Sequence, residues 1–261
     1  MTDLRLFHLF PFRRRAASLR LCLRAALAGL SAFAGLAACV PAGTSIPPAP
    51  ATVDSARLLS RVGVLAADSM MGRRVATEGS ARARRYLIGE LERLGVEPVG
   101  GAYEHPFVFS PTRGGETVPA EGVNLLARVQ GRRDPSRVIV ITAHYDHVGI
   151  GRAVGGDSIY NGADDNASGV ATLLALAEYF QEHPPEHTLI FAALDAEETG
   201  LRGAHAFLEA ALVPRESIAL NINLDMVGHS ESGELYAAGA AHTPSLRAIL
   251  ERVSARAPIR L

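Results

Sequence analysis

The chain has 261 residues, 48% of them hydrophobic, with 26 basic and 27 acidic side chains and a formal net charge of −1. That length and balance predict one globular domain with an ample core, and they exclude a disordered chain or a nucleic-acid-coating protein. Every basic residue is arginine, which removes Schiff-base lysine chemistry, the phosphate-loop lysine and the kinase lysine. Both cysteines, Cys22 and Cys39, lie in the first 39 residues, so the body can hold neither a disulfide framework nor a cysteine zinc site.

Residues 1–24 carry Arg5, Arg13, Arg14, Arg15, Arg20 and Arg24 against one acid, Asp3, and residues 25–38 carry no charge. A basic segment followed by an apolar one of this length predicts a secretory signal, short of the about 20 residues that a membrane span needs. The apolar run ends in Leu36-Ala37-Ala38-Cys39, which resembles the lipobox of bacterial lipoprotein signals. The resemblance implies lipidation of Cys39 and an exported chain, lipid-anchored in the cell envelope and facing the periplasm; an uncleaved anchor is the alternative. Losing the leader leaves 20 basic against 26 acidic residues, an acidic body that argues against nucleic acid as a partner. Residues 41–50, with four prolines, read as a stiff tether. The expected organisation is a signal peptide over 1–38, a tether over 39–52 and one folded domain over 53–261.

Apolar residues recur at helical spacing over 53–65 and 80–94, with Gly95 placed to close the second helix. Short β-branched or leucine-rich runs over 123–129, 138–143, 188–194 and 218–224 read as strands covered on both faces. Helical spacing returns over 167–182 and 201–212, and again in an amphipathic segment over 244–256. Strand and helix thus alternate, which predicts an α/β fold of three layers, αβα, around a central, mostly parallel (mixed) sheet.

In such sheets ligands sit beyond the carboxyl ends of the strands. Here the run 138–143 exits into His144-Tyr145-Asp146-His147, the run 188–194 into Asp195-Ala196-Glu197-Glu198, and the run 218–224 into Asp225. A further pair, Asp164-Asp165, precedes the helix that starts near Ala167. Carboxylates crowded on one rim repel one another unless a cation neutralises them, so the set points to zinc or a similar divalent ion, and their number to two ions sharing a bridging group. His144 and Asp146 are two apart, so the carboxylate is expected to orient the imidazole. Adjacent Glu197 and Glu198 diverge, which lets one bind metal while the other serves as general base.

Together, His144-Tyr145-Asp146, Gly162-Ala163-Asp164-Asp165-Asn166-Ala167-Ser168-Gly169, Ala196-Glu197-Glu198-Thr199-Gly200-Leu201 and Asn223-Leu224-Asp225-Met226 resemble the co-catalytic zinc aminopeptidases of metallopeptidase family 28. The likeness runs from about Leu58 to Val227 and includes Met71-Gly72-Arg73. It implies a peptide substrate, two zinc ions in a complete site, and these roles: His144 and Asp225 on one ion, Asp165 bridging, Glu198 on the second ion, Glu197 as general base and Asp146 behind His144. In that family the second ion also takes a histidine from a loop far downstream of the Asp225 position. Only 36 residues follow Asp225 here, and His229 and His242 fall too early, so the second position is expected to be one ligand short and the fold to lack its last strand and helices. The resemblance thus implies a zinc exopeptidase, in the first instance an aminopeptidase. The alternatives are an inactive envelope binding protein on the same fold, or a single-zinc enzyme like the related glutaminyl cyclases.

Overall fold

The computed structural model describes residues 53–113, 116–257 and 260–261. The expected signal peptide, tether and Cys39 lie outside the described residues. Helix α1 (Ser55–Leu65) is capped by Asp54, whose carboxylate accepts from the amides of Ala56 and Arg57 at 3.0 and 3.1 Å. Helix α2 (Glu78–Arg93) ends as its sequence dictates. Gly95 takes φ +67°, its amide donates to Glu92 and the amide of Val96 reaches back to Leu91, the bond pair that satisfies the last free carbonyls of a helix.

Strands β1 (Glu97–Pro98), β2 (Glu104–Phe109), β3 (Thr112–Arg113), β4 (Glu116–Thr117) and β5 (Ala120–Val129) follow. Then come β6 (Asp134–His144), a hairpin of β7 (Gly149–Val154) and β8 (Asp157–Tyr160), and α3 (Gly169–Glu182). The chain continues through β9 (His187–Leu194), α4 (Arg202–Ala210), β10 (Ile218–Asn223) and α5 (Arg247–Ser254). The main sheet runs β1-β5-β9-β6-β10, with β2 also on β5.

The sheet is mixed: β6, β9 and β10 are parallel, whereas β5 is antiparallel to β9, β1 and β2. The reversal follows from the short connection between β5 and β6, which turns the chain back without a crossover helix. The three parallel strands are the ones that carry the predicted ligands, so their carboxyl ends share one rim.

Both sheet faces are covered, as the continuous apolar runs require. Val123, Leu125, Ile141, Ala143, Phe191 and Ala193 face α1, α2 and α3, packing on Leu87, Leu91, Val170 and Leu174. The alternate residues Leu126, Val140, Ile190 and Ala192 face α4, packing on Phe207. Each such side chain contributes about 1.5–3 kcal/mol when fully buried.

Strand β10 departs from expectation. It is an edge strand among the described residues, its side chains are half-buried or exposed, and Ile222 is 42% exposed. The amphipathic segment at 244–256 forms a short 3₁₀ turn and α5, with no residue buried.

Close packing of α4 depends on one glycine. The Gly203 amide donates to the Asp195 carbonyl at 3.0 Å while its own carbonyl accepts from Asn124 at 2.7 Å. A Cβ there would lie 2.5 Å from Asn124 Oδ1 and closer still to the Asp195 backbone, so no other residue lets α4 begin this near the end of β9.

Candidate metal centre

His144 is the last residue of β6, paired with Leu194 of β9, and is only 4% exposed. Its Nδ1 lies 3.2 Å from the backbone carbonyl of Asp146 and therefore carries the proton. That turns Nε2 toward the carboxylates, 3.2 Å from Asp165 Oδ1 and 3.5 Å from Asp225 Oδ1. Burial opposes a charge on this ring, but the hydrogen-bonding proximity and charge of Asp146, with the charges of Asp225 and Glu197, outweigh it and push its pKa up to about 9. The carboxylates thus hold a proton where a divalent cation would displace it.

Asp146 lies behind His144: its carboxylate Oδ1 is 3.6 Å from His144 Nδ1, and its main-chain carbonyl is 3.2 Å from the same nitrogen. The carboxylate also accepts from the amides of Glu197 and Glu198, at 3.0 and 3.3 Å. Asp146 is fully buried and fixes the turn that carries both glutamates.

Glu197 and Glu198 diverge, as adjacency predicts. Glu197 joins His144 and Asp225 along a cleft of about 370 Å³ walled by Leu194, Leu201 and Phe207. Burial raises its pKa, with the charges of Glu198, Asp146 and Asp225 adding to the rise and His144 opposing it. Glu198 turns the other way, into a cleft of about 400 Å³ with His147, Arg74, Ile150 and Tyr160. Asp195, counted with the rim carboxylates in the sequence, points inward: it accepts from the amides of Val123 and Ala196 and lies 2.9 Å from the Tyr145 hydroxyl. Burial and the charge of Asp146 push its pKa up to about 6.

The loop that presents Asp165 is fastened to the segment that presents Asp225. Asn166 Nδ2 donates to the Leu224 carbonyl, the Val227 amide donates to Ser168 Oγ, and the Gly228 amide donates to Asp164 Oδ1. Asp164 therefore holds the loop and is turned away from the ligand cluster. The Asp165–Asn166 peptide bond is cis. Gly162 opens the loop at φ +60°, where a Cβ would sit 2.6 Å from the His147 ring and 2.7 Å from Arg73 Nη2.

Two groups of donors result: His144, Asp165 and Asp225, and next to them His147, Asp165 and Glu198. His147 Nδ1 is 2.8 Å from Glu198 Oε1 and 3.7 Å from Asp165 Oδ2. A tetrahedral zinc site with bonds near 2.05 Å has ligand-to-ligand edges of about 3.3 Å. The spacings in the first group, 3.2 and 3.5 Å, bracket that edge, and an imidazole nitrogen with two carboxylates is the donor chemistry zinc takes. Among the described residues no arginine forms an ion pair with Asp165, Glu198 or Asp225, and the chain has no lysine to do so.

Two residues acquire a role only in the structure. His147 stands beside the motif with no role the sequence assigns, and Arg73 belongs to the Met71-Gly72-Arg73 likeness without a chemical signal of its own. Arg73 is fully buried and donates to four main-chain carbonyls: Tyr145 at 2.8 Å, Leu65 at 2.6 Å, Asn161 at 2.7 Å and Gly162 at 2.9 Å.

The profile of peptidase family M28 matches residues 124–259, just over half of the chain and all four groups of rim residues. The chain belongs to peptidase family M28. Among curated proteins, it is 34% identical over 167 residues to a vacuolar membrane protease of Schizophyllum commune, covering 62% of this chain and 17% of that protein. It is 31% identical over 156 residues to a probable zinc metalloprotease of Pyrenophora tritici-repentis, covering 59% of this chain and 32% of that one. The match therefore spans a third or less of those relatives' length. In fold it resembles a leucine aminopeptidase precursor of Bacteroides thetaiotaomicron, with a TM-score of 0.63 at 20% identity over 80% of this chain and 74% of that one. A glutaminyl cyclase of the same organism, bound to N-acetylhistamine, is as similar, with a TM-score of 0.62 and the same identity and coverage. At such identities the likeness is one of architecture, and it establishes the αβα fold with its mixed sheet.

Proposed function

We propose that this M28 chain is a zinc-dependent exopeptidase acting on the amino-terminal residue of peptides, with Glu197 as general base. The observation that carries the reading is the placement of Glu197 in a cleft beside His144 and Asp225, its amide fixed by Asp146 and its carboxylate raised in pKa by burial. His144, Asp165 and Asp225 would hold one zinc, with Asp165 and Glu198 reaching toward a second. When bound, zinc supplies Lewis acidity and lowers the pKa of water. Glu197 takes the proton of the attacking water and returns it to the leaving amine, a role in which a basicity raised above that of an ordinary carboxylate is an advantage. Asp146 keeps the Glu197 and Glu198 side chains on opposite sides of the turn by holding both amides. Leu194, Leu201 and Phe207 offer an apolar wall beside Glu197 to a substrate side chain.

The pairing of Asp165 with Glu198 favours this reading over a single-zinc cyclase. The basic leader and Leu36-Ala37-Ala38-Cys39 support export and a lipid anchor in the cell envelope. One experiment on fractionated cells making the full chain tests both parts. Leucyl p-nitroanilide hydrolysis should stay with the membrane fraction, vanish after chelation and return with zinc, while Cys39→Ser should move it to the soluble fraction. Hydrolysis that survives chelation contradicts the metal reading, and Cys39→Ser protein that stays on membranes contradicts the anchor.

A further inference from the structure

We infer that His147 is a ligand of the second metal position, its Nδ1 standing with Glu198 Oε1 and the second oxygen of Asp165. The inference deepens the two-ion reading above and rests on it.

Three observations converge. The first is the division of Asp165, whose Oδ1 faces His144 and whose Oδ2 faces His147. One carboxylate is thereby shared between two nitrogen ligands, the arrangement of a bridging group in a two-metal site. The second is spacing. Distances of 2.8 and 3.7 Å from His147 Nδ1 to Glu198 and Asp165 lie on either side of the about 3.3 Å edge expected between ligands of one tetrahedral ion.

The third is charge and confinement. The His147 side chain is 13% exposed and pressed against Gly162, in a position where a side chain on that glycine could not fit. Asp165 and Glu198 have no cationic partner among the described residues other than histidine. A hydrogen bond from His147 to Glu198 would satisfy one nitrogen and leave the Asp165 Oδ2 charge unmet. A divalent ion shared by all three satisfies every donor at once.

Metal counting on the purified full chain tests this independently of activity. After chelation, reloading with zinc chloride and dialysis, the wild type should retain two zinc ions per chain. His147→Ala should retain one, its second affinity weakened by more than the roughly 10–100-fold typical of outer-shell changes. His147→Cys, which restores a zinc ligand, should retain two and, loaded with cobalt, show a thiolate charge-transfer band that the wild type lacks. Asp225→Asn should lose the other ion and keep the one at His147. Two ions of unchanged affinity in His147→Ala, or one ion in the wild type, overturn the inference. A wild type with one ion that still hydrolyses peptides refutes it and spares the peptidase reading; two ions in an inert protein do the reverse.

Discussion

Replacing Glu197 by glutamine is expected to lower kcat for aminoacyl anilides by about 10²- to 10⁴-fold while zinc content stays at its wild-type value. Glutamine keeps the shape and the main-chain bond to Asp146 Oδ1, so the turn that carries Glu198 should not move. What is lost is the basic oxygen on the cleft side. Because the change removes proton transfer, kcat and kcat/KM should fall together and KM should change little. The wild-type acid limb follows from the direction of the Glu197 shift. A carboxyl pushed above its ordinary range must lose its proton before it can act, so activity should rise with pH through a value above that range. Activity within tenfold of wild type in Glu197→Gln, by steady-state kinetics, would show that another group takes the proton.

Arg73→Met should cost about 3–5 kcal/mol of stability, because unpaired buried acceptors cost about 1–3 kcal/mol each and the charge-assisted bonds to them are lost together. The guanidinium spans the ends of α1, β6 and the Gly162 turn through four carbonyls, and its loss leaves those buried acceptors unpaired. Burial lowers its pKa to about 10, while Asp146, Asp165 and Glu198 act to raise it, so it stays charged at neutral pH. It is a positioning residue: Tyr145 lies between His144 and Asp146, and Gly162 opens the loop to Asp165, so one side chain ties together the two segments that carry shared ligands. Arg73→Lys should recover only part of the loss, because an ammonium cannot span the four acceptors that the planar fork reaches. Denaturant unfolding measures both variants; a loss below 1 kcal/mol for Arg73→Met would show that the carbonyls find other partners.

The strands that carry the site were legible because they are continuous apolar runs broken by acids and histidines, and β6, β9 and β10 lie within a few residues of where those runs place them. The β7–β8 hairpin was not, because Gly149, Gly151, Gly155 and Gly156 break the alternation that marks a strand. A mixed sheet was expected, but not which strands run antiparallel: period and apolarity say that residues 123–129 form a strand, not which way it runs. His147 and Arg73 show where pattern stops. The reach of His147 to Glu198 depends on how the chain bends after β6 ends, and the role of Arg73 on carbonyls gathered from three separate segments. Conversely, the divergence of Glu197 and Glu198 needed nothing beyond their adjacency.

The central claim is that the rim carboxylates and histidines form a metal centre, and anomalous diffraction at the zinc edge, from crystals of the chain grown with zinc, tests it most directly. Two peaks are predicted about 3.5–4 Å apart, one among His144, Asp165 and Asp225 and the other among His147, Asp165 and Glu198. No peak at the His144 group in zinc-saturated crystals would contradict the account.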